Sequence, residues 1–154
     1  MTISAPGIDV LPHRPPMRLV EELADVVMGR SATGRRIAHA TDWYFQGHFP
    51  GDPVVPAIVL IELLAQTGGV AATEPGGASN QRLRVASLGP FKFPAGAGPG
   101  QCLEARARVA GRLGDMVKIE GEVLADGKRV AVGSITLANA PHQGPPEGRF
   151  PAKE

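Results

Sequence analysis

The second half of the chain alternates apolar and polar residues with a period of two. Residues 102–113, 116–125 and 129–138 each place apolar side chains on one face and polar or charged side chains on the other. This period is typical of half-buried strands, and Asp126-Gly127 between the last two segments is a strong hairpin signal. Antiparallel sheets commonly leave one face in water. The pattern therefore predicts three consecutive antiparallel strands with one covered face.

One segment is apolar on nearly every side. Residues 57–66 contain only two polar side chains, Glu62 and Gln66, and a helix that is apolar all round is a buried helix. Pro56 stands at the predicted first helical position, where a missing N–H is tolerated. The run is shorter than the ~20 apolar residues that a membrane span needs. We therefore expect a central helix over residues 56–71, enclosed by the sheet.

The first half of the chain gives weaker strand signals. Residues 17–28 predict a strand with poor alternation, for which a helix is the alternative. Residues 30–34 predict a turn, and residues 35–40 predict the second strand of a hairpin. Residues 83–93 predict another strand, with a glycine–proline pair near its middle. Since proline cannot donate to a strand ladder, we expect a break there.

Composition narrows the class of protein. The chain has 154 residues, which is enough for one domain with a hydrophobic core, and its net charge of +1 offers no strong field for nucleic acid. A single cysteine, Cys102, excludes an internal disulfide and a cysteine-based metal cluster. We expect a flexible lead over residues 1–10, one folded domain over 11–140 and a Pro/Gly-rich disordered tail over 141–154. The lead lacks the features of a signal peptide, so we expect a cytoplasmic protein.

Candidate chemistry gathers around the predicted helix. A buried Glu62 needs a partner, and Gln66 lies one helical turn further on, within reach of it. His48 lies on the stiff Gly/Pro-rich loop before the helix and can form an acid–base pair with Glu62. A satisfied structural carboxylate and an idle loop histidine are the alternative interpretations. We interpret His13, in a proline-rich turn, as a loop-capping residue rather than a ligand.

An aromatic cluster directly precedes the His48 loop. It consists of Trp43, Tyr44 and Phe45 and contains the only tryptophan and the only tyrosine of the chain. We interpret these rings as core packing. The alternative is that they line an apolar pocket beside the site.

Several linked motifs resemble one enzyme family. They are residues 45–51 (FQGHFPG), 53–56 (PVVP) and 62–66 (ELLAQ), preceded by residues 11–16 (LPHRPP). Together they are similar to the signature of the (3R)-hydroxyacyl-acyl-carrier-protein dehydratases of type II fatty acid synthesis, including the 14-position spacing between the histidine and the glutamate. The resemblance extends from Leu11 to about residue 138. It implies an α+β fold, a single hot-dog domain in which an antiparallel sheet wraps around a central helix.

The resemblance also implies an activity and a set of site residues. The activity is dehydration of (3R)-3-hydroxyacyl thioesters to trans-2-enoyl thioesters in fatty acid or related acyl-chain biosynthesis, without metal or cofactor. His48 and Glu62 are the implied catalytic residues. Substrate binding and oxyanion stabilisation fall to Val54, whose carbonyl holds the imidazole, to the Ala57 amide and to Gln66. A mechanism that uses both catalytic residues and one in which His48 handles both protons stay open.

The implied partners are an acyl thioester, linked to acyl carrier protein or to CoA, and a second copy of the chain. We expect a homodimer, or a trimer of such dimers, and neither nucleic acid binding nor membrane insertion. Glu62 lies roughly 9 Å beyond Pro56 along the helix axis, and three loop prolines oppose folding the loop back over that distance. We therefore expect His48 of one chain to face Glu62 of its partner.

The chain departs from the family pattern at several positions. Ala57 replaces a glycine and adds a methyl group beside the thioester position. Residues 93–101 lengthen a turn that shapes the channel and the carrier-protein approach in the family. Glu62 and Ala65 replace the Asp and Trp of a related dehydratase/isomerase group, so we expect no isomerase activity. The rival functions are a hot-dog acyl thioesterase and a non-catalytic acyl-thioester binding protein.

Overall fold

One antiparallel sheet wraps a single long helix in the part of the chain that the computed structural model describes, residues 7–75 and 83–139. The helix is α1 (Ala57–Ala72). The strands are β1 (Glu22–Val27), β2 (Ser31–Ile37), β3 (Leu83–Lys92), β4 (Cys102–Leu113), β5 (Met116–Ala125) and β6 (Lys128–Asn139). The sheet order is β1-β2-β4-β5-β6-β3, with every neighbouring pair antiparallel. The predicted α+β architecture is confirmed.

The second half of the chain follows its alternating pattern closely. Strands β4 and β5 have the predicted bounds, and β6 extends one residue beyond the prediction at each end. Asp126 and Gly127 have φ angles of 47° and 83°. Positive φ at both central residues is the requirement of a tight hairpin turn that matches the strand twist.

The turn predicted at residues 30–34 is wrong. The chain turns earlier, with Gly29 at φ 78°, and β2 already includes Thr33 and Gly34. These two residues pair with Arg106 and Ala105 of β4. Cross-strand pairing therefore overrides the local turn preference of this segment. The strand predicted over residues 17–28 begins only at Glu22.

The break predicted in the third strand is a local irregularity. β3 runs on through Gly89 and Pro90, and its register against β6 shifts between Leu88 and Phe91. β3 lies at one end of the sheet order, so the proline occupies an edge strand. An edge strand tolerates the missing donor.

The helix packs against the sheet, and its only exposed residues are the first two, Ala57 and Ile58. Val59 to Ala72 supply eleven buried residues, among them Leu63 and Leu64, whereas Ile58 is 71% exposed. A side chain at Gly68 would come within 2.9 Å of Ile119, so the helix lies very close to β5 at this glycine. A side chain at the neighbouring Gly69 would meet nothing within 4 Å.

The expected termini are described only in part. Ile8–Val10 form a short 3-10 helix. The rest of the predicted lead as far as residue 6, the predicted tail over 141–154 and residues 76–82 lie outside the described residues. Among the residues described, no helix is long and apolar enough to cross a membrane.

Candidate active site

A closed loop holds His48. Gly47 and Gly51 both have a φ of 79°, which only glycine adopts readily. The N–H of Val54 donates to the His48 carbonyl at 2.9 Å, and the imidazole Nδ1 lies 2.9 Å from the Val54 carbonyl oxygen. A carbonyl oxygen can only accept, so Nδ1 carries the hydrogen and Nε2 keeps a free lone pair. The imidazole is therefore oriented as a base.

The helix begins directly after this loop. Pro56 has a ψ of 143°, which is extended, so it is the N-cap of the helix. The prediction that Pro56 is the first helical residue is therefore wrong by one position. Its carbonyl accepts the first intrahelical hydrogen bond, from Val59 at 2.9 Å. The amides of Ala57 and Ile58 precede that bond. Such leading N–H groups are free to bind a developing negative charge.

Glu62 is less buried than the apolar pattern predicts. Its side chain is 31% exposed, because it lines a cavity of about 270 Å³ beside the edge strand β3. The other lining residues include His13, Gln66, Leu83, Arg84 and Val85. A partly open carboxylate at a cavity is accessible to a ligand in a way that an enclosed one is not.

Gln66 joins Glu62 to the segment before β1. The amide Nε2 donates to Glu62 Oε1 at 3.0 Å and to the Met17 carbonyl at 2.7 Å, while its oxygen accepts the Leu19 N–H at 2.9 Å. Gln66 is 2% exposed. Three hydrogen bonds fix the orientation of its amide group. The predicted contact between Gln66 and Glu62 is thus present.

His13 was missed as a site residue. Its Nε2 lies 3.7 Å from Glu62 Oε1, and its ring lines the cavity described above. The predicted loop-capping role belongs to the next residue, since Arg14 Nη1 donates to the carbonyls of Leu11 and His13 at 2.8 Å. The only sequence signal for His13 is its presence in the LPHRPP motif.

His48 and Glu62 do not meet within one chain. No histidine nitrogen of His48 comes within 4.0 Å of a Glu62 oxygen in residues 7–75, where both are described, and the nearby histidine is His13. The His48 loop packs elsewhere, with the Val55 N–H donating to the Ala97 carbonyl at 2.8 Å. Phe49 on this loop is 58% exposed. The two predicted catalytic side chains are therefore separate within one chain.

The core-packing prediction for the aromatic cluster is confirmed for Tyr44 and Phe45 and is wrong for Trp43. Tyr44 and Phe45 are 4% and 8% exposed. Burial, and then the hydrogen bond to Asp42, raise the pKa of Tyr44 to about 12, so its hydroxyl stays protonated. Asp42 also accepts from Arg36 at 2.5 Å. Trp43, which is 44% exposed, lines a separate cavity on the other side of the segment that carries Leu19.

Another cavity lies away from these residues. It measures about 590 Å³ and is lined by side chains of the sheet, including Arg106, Arg108, Glu120 and Glu122. These charges pair with one another across neighbouring strands. Among the described residues, no group of three His, Cys, Asp or Glu side chains is placed to hold a metal ion.

Comparison with known proteins points to one family. The family model of the FabA-like domain matches residues 11–134. The chain is 32% identical over 133 residues to the 3-hydroxyacyl-[acyl-carrier-protein] dehydratase FabZ of Syntrophotalea carbinolica, covering 86% of this chain and 90% of that protein. It is 35% identical over 127 residues to the FabZ of Campylobacter hominis, covering 80% and 88%.

Solved structures share the fold at low identity. The dehydratase heterocomplex ApeI:P from Xenorhabdus doucetiae matches with a TM-score of 0.74 and 16% identity, covering 89% of this chain and 93% of that chain. The PaaI protein of the phenylacetic acid degradation operon of E. coli matches with a TM-score of 0.61 and 17% identity, covering 77% and 82%. These likenesses show the hot-dog fold.

Proposed function

Because this chain belongs to the FabA-like domain family and to its FabZ dehydratases, we propose that it dehydrates (3R)-3-hydroxyacyl thioesters to trans-2-enoyl thioesters. The substrate is carried by acyl carrier protein, as the names of the FabZ relatives state for those proteins. The product enters fatty acid or related acyl-chain biosynthesis. One observation carries the proposal: the Val54 carbonyl holds the His48 imidazole with Nε2 free.

In the proposed reaction, His48 Nε2 removes the proton next to the thioester carbonyl. The electrons of that C–H bond form the carbon–carbon double bond as the C–OH bond at the third carbon breaks. The leaving hydroxyl takes a proton and departs as water, so no oxidant or reductant is needed. Histidine is the side chain that most often acts as a general base in enzymes, so His48 suits this role.

The Ala57 amide is the proposed donor to the thioester oxygen. It precedes the first hydrogen bond of α1, and the positive end of the helix dipole stabilises negative charge that develops on that oxygen. Val54 contributes through the imidazole that it orients.

The Ala57 methyl group allows a test of this placement. We expect Ala57→Gly to fold, with a stability loss of about 1 kcal/mol or less at a helix end, and to raise turnover on long acyl chains relative to short ones. Steady-state kinetics across a series of chain lengths measures this. An identical ratio of kcat/KM values in both proteins would show that the methyl group does not limit the site.

Glu62 is the proposed source of the proton for the leaving hydroxyl. Gln66 donates to one of its oxygens and so holds the carboxyl group at the cavity. The mechanism in which His48 handles both protons assigns Glu62 to orienting the hydroxyl or a water. Glu62→Gln distinguishes the two mechanisms, because an amide still orients a hydroxyl but does not act as an acid.

We further propose that each site combines His48 of one chain with Glu62 of its partner. The cavity at Glu62 is lined by residues of β3, an edge strand with one side unpaired among the described strands. Exposed apolar side chains occur on that strand, on the His48 loop and on the first turn of α1, namely Val85, Leu88, Phe49 and Ile58. A two-fold partner would cover them and place its histidine at the cavity.

Mixed dimers test the shared site. His48→Ala and Glu62→Ala chains, each inactive alone, are unfolded and refolded together. Random pairing makes about half of the dimers mixed, each with one intact site, so we expect roughly a quarter of wild-type activity. A mixture of tagged and untagged His48→Ala chains is the matched control and should stay inactive. No recovery in isolated mixed dimers would place both residues in one chain.

The reaction itself is tested with crotonyl and 3-hydroxybutyryl thioesters of acyl carrier protein and of CoA. Interconversion of the two thioesters by the wild-type protein, lowered about 10²–10⁴-fold in His48→Ala, is the expected result. Release of free thiol would instead identify a thioesterase, and binding without turnover a non-catalytic carrier. The proposal also includes a preference for acyl carrier protein, a trimer of dimers and a cytoplasmic location. Kinetics with both carriers, solution mass and cell fractionation test these three points in turn.

A further inference from the structure

Two donors approach the same oxygen of Glu62. His13 Nε2 lies 3.7 Å from Oε1, and Gln66 Nε2 donates to that atom at 3.0 Å. Within the described part of the chain, Oε2 has neither a hydrogen bond nor an ion pair. The two oxygens of this carboxyl group are therefore in different environments.

The two ring nitrogens of His13 also differ. Nδ1 is buried without a hydrogen-bond partner among the described residues, whereas Nε2 faces the carboxyl group. A lone pair on Nε2 would point at a negatively polarised oxygen, so the hydrogen belongs on Nε2. An unpartnered buried nitrogen is unfavourable and calls for an explanation. The contact with Glu62 supplies one, because a ring turned to satisfy Nδ1 would lose it.

We propose that His13 is a positioning residue for Glu62, an inference that rests on the proposed function. A single hydrogen bond from Gln66 would let the carboxyl group rotate about that contact, whereas a second contact on Oε1 defines its plane. With both donors at Oε1, Oε2 stays available to the substrate. Oε2 then either carries the proton for the leaving hydroxyl or holds that hydroxyl in place.

The surroundings of the pair are consistent with this role. Gln66 is itself locked by Met17 and Leu19, so one segment before β1 supplies His13 and also anchors Gln66. The other charged residue at the cavity is Arg84 of β3. Arg84 forms no ion pair within 4.0 Å in the chain ranges 7–75 and 83–139. The orientation of Glu62 therefore depends on His13 and Gln66.

Three substitutions of His13 test the proposal in the thioester assay. The Nε2 of a glutamine reaches the position of the histidine Nε2, while the amide nitrogen of an asparagine falls nearer to Nδ1. We expect kcat to fall about 10–100-fold in His13→Ala and His13→Asn, with KM within about twofold, and to recover to within about fivefold of wild type in His13→Gln.

His39 offers a matched control. It forms a histidine–glutamate pair with Glu21 at 2.9 Å on the exposed surface, and His39→Ala should leave both kinetic constants unchanged. Solution mass and thermal unfolding establish that each variant is folded. If His13→Ala fails to fold, the comparison of the two amide variants decides.

The alternatives give different results. Wild-type kcat in His13→Ala, an equal loss in the Gln and Asn variants, or a raised KM at constant kcat would each overturn the positioning role. An inactive wild-type protein would overturn the proposed function first, and the role of His13 with it. If the wild-type protein is active, the activities of the His13 variants test this inference alone and leave the proposed function standing.

Discussion

The two edges of the sheet differ in length, although the pairing of both edge strands shifts in register. At one edge, β1 has six residues, and its pairing with β2 shifts between Ala24 and Val27, where Asp25 has a φ of 48°. At the other, β3 has ten residues and carries exposed Val85 and Leu88. A short edge strand resists pairing with another chain, whereas a long one with exposed apolar side chains invites it.

Charge sharpens the contrast between the edges. Glu22 of β1, Arg35 of β2 and Glu104 of β4 stand opposite one another across three neighbouring strands and form ion pairs. Glu22 is exposed whereas Arg35 and Glu104 are partly buried, so the ladder places a solvated charge on the β1 edge itself. The β3 edge instead borders the cavity that contains Glu62. The candidate active site therefore lies beside the edge strand that the proposed partner chain would cover.

The largest expected effect comes from a charge on the β3 edge. Leu88→Arg should leave the chain folded but convert the proposed dimer to monomer, because an unpaired charge is costly to bury in an interface. We expect activity to fall by more than about 100-fold, which corresponds to roughly 2.7 kcal/mol. Light scattering and the thioester assay measure both effects.

Val27→Arg is the matched control on the β1 edge. Val27 is 48% exposed and Leu88 is 51% exposed, so the two substitutions start from similar surroundings in the single chain. Mass and activity should stay at wild-type values in Val27→Arg. Equal behaviour of the two variants would remove the distinction between the edges.

Glycine substitutions compare the packing beneath the two edges. A methyl group at Gly34 of β2 would overlap the Thr67 hydroxyl, and one at Gly89 of β3 would overlap the Ser134 hydroxyl. Thr67 is fully buried and its hydroxyl is held by the Leu63 carbonyl at 2.8 Å, whereas the Ser134 side chain is only partly buried and can rotate.

We therefore expect Gly34→Ala to lower the free energy of unfolding by about 1–3 kcal/mol. Gly89→Ala should lower it by less than about half of that amount. Denaturant titration of both variants gives the values. A larger loss for Gly89→Ala would show that the β3 side is the more tightly packed one.

The smallest effect concerns the charged ladder beside β1. Hydrogen bonds from Arg35, and then from Arg106, lower the pKa of Glu104 below its usual value. A lowered folded-state pKa stabilises the protein above the unfolded-state value of about 4.3, and that contribution disappears as the pH falls through the folded-state pKa.

Glu104→Gln should thus lower the free energy of unfolding at pH 7 by about 0.5–1 kcal/mol, as is usual for partly exposed ion pairs. The difference between variant and wild type should vanish at the acid end of a pH series of unfolding curves. A difference that persists at acid pH would assign the effect of Glu104 to packing rather than charge.

The sequence predicts best where the determinants are local. The bounds of β4 and β5 follow from alternation along each strand, and the helix follows from its apolar run. β2 was misplaced because its first residues have turn-like side chains and become a strand only through pairing with β4. A short stretch of sequence does not determine the register between strands that are distant in the chain.

The same distinction holds for the candidate site. The His48 loop and the contact between Glu62 and Gln66 depend on near neighbours, and both were predicted. The approach of His13 to Glu62 depends on how the segment before β1 crosses the helix. The exposure of Glu62 depends on a cavity beside β3, which comes from elsewhere in the chain.

The loop that carries His48 has a thermodynamic consequence. One residue closes it twice, through its carbonyl and through its ring, onto Val54 six positions later. Ordering a backbone residue opposes folding by about 1–2 kcal/mol in conformational entropy. For this loop the loss occurs once, when the chain folds, and is not repeated when each substrate arrives. The free energy of substrate binding therefore need not order this loop as well, and it can offset the entropy lost when the flexible acyl chain is oriented.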